Sequence, residues 1–268
     1  MRPRQGYDKE TNMDDVARST TYPYPSDTDT LPPGVCVDVP SRASAAARGP
    51  EIPAYLQDTY YWCYLNPRNV KLLDREFVVR TILWQQHRKL QRLAFAEVQP
   101  GQSVLQAASV YGSFAPNLAS HIGAEGSLDV VDVAEVQVRS VRGKLREFSW
   151  ARVHHSNILH YGGGPFDVVC CYFLLHEVPD DYKYRIVNSL LEKVSPGGKV
   201  VFVDYHKPRW WHPLKLITRI VFDTLEPFAK RLWRSELSEF ADEPGRFSWR
   251  KEIIFGGLFQ KVVATRLD

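Results

Sequence analysis

Apolar residues along this chain change their spacing several times, and each change marks a different kind of element. Over 74–97, Val78, Ile82, Leu90, Leu93 and Ala94 fall near one face of a single long helix. Stretches 103–109 and 128–132 read as strands; the helix between them opens at Pro116, carries Leu118, Ala119 and Ile122, and stops before Gly123. Helical spacing returns over 135–147, with Val138, Val141 and Leu145 inward and Arg139, Arg142 and Arg146 outward. A short strand around Val153 runs into Ser156-Asn157-Ile158-Leu159. The run 167–174 is apolar throughout, as in a central parallel strand covered on both faces. A helix over 182–194 stops at Ser195-Pro196-Gly197-Gly198, and 199–204 is the fifth strand.

Strands alternating with helices specify a doubly wound α/β sheet. The end of the chain breaks the alternation, because strand-like stretches 248–255 and 258–266 are joined by Gly256-Gly257, the composition of a tight two-residue hairpin. Residues 1–50 mix Pro, Ser, Thr, Ala and charges without periodicity and read as a disordered leader. A helical cap over 51–100 and an α/β domain over 101–268 follow. Within that domain, 208–240 reads as a helical insertion with Trp210, Trp211, Leu214, Ile217, Val221, Leu225, Phe228, Leu232 and Trp233 at helix-compatible spacing. Lys215, Arg219, Lys230, Arg231 and Arg234 serve its polar side, and Pro227 should bend or split it. Such a segment either lies on anionic lipid or packs on its own domain.

Composition narrows the class. The 268 residues are 44% hydrophobic and 24% charged, as in an ordinary globular enzyme, and a net charge of +3 is too mild to point to nucleic acid. Of the four cysteines, Cys36, Cys63, Cys170 and Cys171, two are adjacent in an apolar strand and none has metal-ligand spacing, so free thiols in a reducing compartment are expected. No apolar run approaches the ~18 residues of a membrane span. The first residues lack the apolar region of a signal peptide, and Asp8, Glu10, Asp14 and Asp15 disfavour an organellar transit peptide. A cytoplasmic protein is expected, peripheral at the inner face of the membrane if the insertion lies on lipid.

Ser103-Val-Leu-Gln-Ala-Ala-Ser-Val-Tyr-Gly-Ser-Phe114 sits where a nucleotide-binding loop should be. About 20 residues after Gly112, the second strand ends on Asp132, the position that holds ribose hydroxyls in doubly wound nucleotide folds. The pattern resembles the class I methyltransferases that bind S-adenosylmethionine, whose first motif is Asp/Glu-x-Gly-x-Gly-x-Gly. That resemblance implies a mostly parallel seven-stranded sheet closed by an antiparallel hairpin. It places Gln106, Ala108, Tyr111, Gly112, Asp132 and Val133 around the cofactor, and Asn157 and Ile158 at its adenine. Laid on the motif, Gln106 replaces the acid, Ala108 and Val110 replace glycines, and only Gly112 survives. Ala108 should cost little, whereas Val110 and Tyr111 must reshape the cavity. Removing the acid removes one influence that keeps a bound amine protonated.

His176 and Glu177, at the end of the fourth strand, face the crevice beyond the carboxyl ends of the strands and are the candidates for proton transfer. In many methyltransferases similar residues only cap the strand and shape the pocket. Glu177, Asp204 and His206 together offer donors suited to a divalent metal, without a diagnostic spacing.

Three segments narrow the family: Tyr60-Tyr61-Trp62-Cys63-Tyr64-Leu65-Asn66-Pro67-Arg68, Ala108-Ser109-Val110-Tyr111-Gly112-Ser113-Phe114, and Phe255-Gly256-Gly257-Leu258-Phe259-Gln260-Lys261-Val262-Val263-Ala264. Together they resemble the methyltransferase-like enzymes of rhodoquinone biosynthesis. The resemblance implies replacement of the 2-methoxy group of ubiquinone by an amino group, with S-adenosylmethionine as amino donor and manganese (Mn2+) as the metal. Tyr111 would position the amine or fill the space of the lost glycines, while Tyr61, Trp62, Tyr64 and Trp210 would wall the path of an apolar substrate. An ordinary S-adenosylmethionine-dependent quinone methyltransferase and a non-catalytic cofactor- or quinone-binding scaffold are the alternatives.

Overall fold

The computed structural model describes residues 49–224 and 228–267. Nearly all of the expected leader, with Cys36, and Leu225 and Pro227 of the insertion lie outside the described residues.

Seven strands form one sheet in the order β3-β2-β1-β4-β5-β7-β6. β1 (Ser103–Ala107), β2 (Ser127–Asp132), β3 (Ala151–His155), β4 (Phe166–Tyr172) and β5 (Val194–Tyr205) pair in parallel. β6 (Phe247–Ile254) and β7 (Phe259–Arg266) form an antiparallel hairpin, and β7 pairs antiparallel to β5. The class I methyltransferase-type sheet is therefore present. Its order reverses between β1 and β4, and ligands bind at the carboxyl ends of strands flanking such a reversal.

The apolar runs that identified the strands also cover both faces of the sheet. Val104, Val130, Val168 and Val201 belong to one buried cluster, and Leu105, Val131, Val169 and Val200 to a second. Side chains alternate across a pleated sheet, so consecutive residues serve opposite layers.

Among the described residues, the helices before β1 are α1 (Ala54–Asp58), α2 (Pro67–Leu73), α3 (Glu76–Ile82) and α4 (His87–Phe95), with a π-turn over Tyr61–Leu65. α2 starts where it does because Pro67 fits the first helical turn and the Asn66 side chain accepts the Arg68 N–H at 3.0 Å. The single helix expected over 74–97 is instead two. Trp84 and Gln85 take left-handed backbone angles, φ 49° and 63°, and that reversal separates α3 from α4. Apolar spacing carries no information about such a break.

α5 (Phe114–Ile122), α6 (Glu135–Leu145) and α7 (Asp180–Glu192) complete the alternation. β5 begins earlier than expected, since Ser195-Pro196-Gly197-Gly198 lies within an irregular extended run that pairs Val194 with Phe166. The closing hairpin is also not a two-residue turn. Ile254 and Phe259 form its last pair, leaving Phe255–Leu258 as a four-residue connection. A Cβ on Gly257 would lie 2.8 Å from the Lys207 carbonyl oxygen, so glycine is required there for close approach.

Among its described residues the insertion holds the helix α8 (Lys215–Thr224) and 3₁₀ turns at Ala229–Trp233 and Leu237–Phe240. Of the expected stripe on and beside α8, Leu214 and Val221 pack on the core next to buried Thr218 and Phe222, while Ile217 is exposed together with Leu216 and Ile220. Among the described residues no helix is long and apolar enough to cross a membrane.

Candidate active site

The loop after β1 is held from the helical side of the molecule. Gly112, at φ +80°, gives its N–H to Asp74 Oδ1 at 2.8 Å, and Lys144 on α6 lies 2.5 Å from that oxygen while donating to the Gly112 carbonyl at 2.8 Å. Tyr111 donates its hydroxyl to the Cys63 carbonyl and accepts from Gln137 at 3.1 Å. Its ring stacks on Tyr64 at 5.6 Å between centroids. Burial pushes the Tyr111 hydroxyl far up from its ordinary value, so it stays protonated. Tyr111 thus ties the loop to the π-turn, and its hydroxyl is committed to that contact.

Ala108 is at φ +64°, a conformation glycine adopts freely and alanine at a cost of about 1–2 kcal/mol. The expectation that this replacement is inexpensive is corrected. Gln106 is fully buried and gives its amide N–H to the Ala108 carbonyl at 3.0 Å; it supports the loop and lines neither of the cavities described below.

Asp132 ends β2 with both oxygens engaged: Oδ2 accepts the Ser109 N–H at 2.7 Å and Oδ1 the Ala134 N–H at 2.8 Å. Burial raises its pKa, against those amide bonds, which favour the carboxylate. A carboxylate has about four acceptor positions, so a diol can still be accepted. Ala108, Asp132, Val133, Asn157 and Ile158 share one slot. Asn157 Oδ1 accepts the Leu159 N–H at 3.0 Å and keeps a second lone pair, so both its oxygen and its NH2 group can meet a base. This donor set fits an adenosyl group. The slot itself is only about 50 Å3, because Pro53 and Tyr55 cover it and Tyr55 meets Tyr182 edge-on at 5.0 Å. A nucleoside enters only if that segment moves.

Beside the slot is a larger apolar cavity of about 160 Å3, walled by Tyr64, Val110, Tyr111, Phe173, His176 and Tyr205 among others. Trp62 and Ile82, both about half exposed, also line it. His176 Nδ1 lies 2.9 Å from Asp204 Oδ1, with the side chains only 6% and 2% exposed. Its Nε2 lies 3.5 Å from Glu177 Oε1, which also accepts the Tyr64 hydroxyl. Phe173 and Tyr205 meet the imidazole edge-on at 5.9 and 4.8 Å. Phe173 is at φ +53°, a strained angle for a bulky residue, and such strain persists where surrounding packing imposes it.

Expected site residues therefore divide. Tyr64, Trp62, Tyr111, His176 and Glu177 meet in the cavity, whereas Tyr61 and Trp210 are exposed and do not line it. Tyr61 sits on the π-turn outside the wall formed by Tyr64, and Trp210 follows the loop beyond β5. His206 does not join Glu177 and Asp204: its Nδ1 lies 2.9 Å from the Gly257 carbonyl oxygen, and burial lowers its pKa. Among the described residues no group of three His, Cys, Asp or Glu side chains is placed to hold a metal ion, so the expected manganese ligands are not assembled. Cys170 and Cys171 are free and buried, and burial pushes the Cys170 thiol up to about 12. Asp74 and Lys144 were not legible as site residues, whereas Phe173 and Tyr205, at the carboxyl ends of β4 and β5, carried a positional signal.

Residues 77–241 match the ubiE/COQ5 methyltransferase family. An uncharacterized methyltransferase of Synechocystis is 28% identical over 179 residues, 62% of this chain and 77% of that protein. The ubiquinone/menaquinone biosynthesis C-methyltransferase UbiE of Idiomarina loihiensis is 28% identical over 116 residues, 41% of this chain and 45% of its own length. The chain thus spans about half the length of the UbiE relatives it matches. Among solved structures, an O-methyltransferase family protein from Burkholderia thailandensis aligns with a TM-score of 0.57 at 12% identity, covering 76% of this chain and 63% of that one. The N-methyltransferase NodS from Bradyrhizobium japonicum, in complex with S-adenosyl-L-homocysteine, aligns with a TM-score of 0.50 at 13% identity, covering 81% and 100%.

Proposed function

Because the chain belongs to the ubiE/COQ5 methyltransferase family, we propose that it is an S-adenosylmethionine-dependent transferase whose acceptor is the ring of a lipid-soluble quinone. One observation carries this reading: an apolar, ring-lined cavity with the His176–Asp204 couple in its wall adjoins the nucleotide slot at Asp132. Asp132 would hold the ribose hydroxyls, Asn157 and Ile158 the adenine, and the loop from Ala108 to Gly112 the methionine portion. When bound, S-adenosylmethionine supplies an electrophilic methyl group and, on its amino-acid side, an amine. Tyr64, Tyr111, Phe173 and Tyr205 offer faces and edges to a flat ring and exclude water from it. The His176 imidazole, with the Asp204 carboxylate beside Nδ1 and the Glu177 carboxylate beside Nε2, is the group in the cavity wall that would accept or return the ring's proton.

Methylation of a ring carbon is the reading that the names of the UbiE relatives support. A second reading, replacement of the ubiquinone 2-methoxy group by the cofactor's amine, is favoured by Gln106. The residue at the motif's acidic position is neutral, so that strand end presents no charge to hold an amine as ammonium.

The test is to incubate the full chain with methyl-deuterated, nitrogen-labelled S-adenosylmethionine and either ubiquinone or a quinol with a free ring C–H, then weigh the products. Deuterium in the quinol product supports methylation, and labelled nitrogen in place of methoxy supports amination. No labelled product from either substrate overturns the proposal and leaves a binding scaffold.

A further inference from the structure

Resting on the reading of the acceptor as lipid-soluble, we propose that α3 and α8 form a surface that docks on an anionic lipid bilayer, with the cavity opening at its edge. Phe77 is 76% exposed, Leu216 69% and Trp210 83%, and Ile82, Trp211, Ile217 and Ile220 are also exposed. On α8, Leu216 and Ile220 are four residues apart and Ile217 three from Ile220, so they form one outward stripe. One groove joins the two elements: Phe77, Arg80 and Thr81 of α3, with Trp84, line it together with Leu214, the residue before α8, and Phe255. Ile82 at the end of α3 reaches the cavity, where Trp62 is also half exposed, so the apolar surface runs up to the opening.

Charge selects the occupant. Arg80, Arg209, Lys215 and Arg219 are exposed around this surface, and the Arg209 guanidinium lies 5.9 Å from the Trp211 ring centre. Of the acids on these two helices, Asp223 is shared by Lys230 and Arg219, and Glu76 leaves the exposed basic side chains in excess. Tryptophan and apolar side chains beside arginine and lysine match the boundary between acyl chains and anionic headgroups. A second copy of the chain would instead bring like charges together across a two-fold axis.

The test uses the full chain and sedimentation with vesicles of phosphatidylcholine, with and without phosphatidylglycerol. Binding should be strongest to the anionic vesicles and weaken as salt rises. Leu216→Glu with Ile220→Glu should weaken it about tenfold or more. The same variant should keep its turnover with a short-tailed, water-soluble quinone, because neither residue lines the cavity. Equal sedimentation of both proteins, or a dimer in light scattering that the variant abolishes, overturns the proposal. Vesicle binding is read without turnover, so failure of the quinone assay with vesicle binding intact counts against the transferase reading alone.

Discussion

Asp204 Oδ1 lies 2.9 Å from His176 Nδ1 at the ends of two neighbouring strands. The same carboxylate accepts the Leu175 N–H at 2.9 Å and the Tyr205 N–H at 2.7 Å. It is therefore fixed by backbone, and its charge lies against the imidazole. A buried carboxylate so placed stabilises the imidazolium that forms when the ring takes up a proton.

Asp204→Asn should lower kcat by about 10²- to 10⁴-fold, the usual weight of a positioned acid or base, with KM changed only a few-fold. His176→Gln should do the same. The double variant should be no slower than the worse single one, since the two residues act as a unit. Steady-state kinetics on variants that retain their far-UV circular dichroism decides it; full activity in His176→Gln would remove the imidazole from the reaction.

Asp132→Ala removes a carboxylate and leaves the Ser109 and Ala134 amides without their acceptor. Hydrogen bonds to a charged group contribute about 1.5–3 kcal/mol, so affinity for S-adenosylhomocysteine should fall by about ten- to a hundredfold. Titration calorimetry measures this directly. Unchanged affinity would mean that the nucleoside lies elsewhere.

Tyr111→Phe separates packing from chemistry. The hydroxyl is taken up by the Cys63 carbonyl and Gln137, while the ring stacks on Tyr64. Stability should fall by about 1 kcal/mol in urea unfolding, and turnover should stay within a few-fold. A collapse of kcat with stability unchanged would give the hydroxyl a part in the reaction.

The sheet was readable because burial on both faces writes itself as continuous apolar runs such as the one through Cys170 and Cys171. Asp132 and His176 were readable because strand ends at an order reversal are where ligands bind. The break at Trp84 and Gln85 was not, because nothing in those side chains requires left-handed angles. Nor was the turning of His206 toward Gly257, which depends on how the hairpin connection packs. Asp74 and Lys144 converge on Gly112 from different helices, and contacts between distant segments leave no local spacing to read.

Two substitutions in the loop should act with opposite sign. Gly112→Ala places a side chain at φ +80° and brings its Cβ to 3.3 Å from Glu76 Oε2, and should cost about 1–2 kcal/mol. Ala108→Gly relieves the same kind of angle, less the chain entropy that glycine adds, and should gain about 0.5–1 kcal/mol. Chemical denaturation of both variants checks the pair; a destabilised Ala108→Gly would contradict the backbone conformation described.

Glu97 gives the fold a predictable response to acid. It lies just after α4 and reaches the antiparallel edge of the sheet, with Arg250 on β6 at 2.7 Å and Lys261 on β7 at 3.0 Å. Burial alone would raise its pKa, but the hydrogen bonds from Arg250 and Lys261 outweigh it and hold the carboxyl below its ordinary value of 4.5. Since the folded value lies below the unfolded one, the stabilisation is complete above about pH 5 and disappears as pH falls through the folded value. Lys261 is also buried, and removing its partner leaves its charge to Glu252 at 3.1 Å. Glu97→Gln should therefore lose about 2 kcal/mol at neutral pH and show a flatter loss of stability below pH 4.5 than the unaltered chain. Urea unfolding across that range measures both, and parallel acid limbs in the two proteins would show that the carboxylate's linkage lies elsewhere.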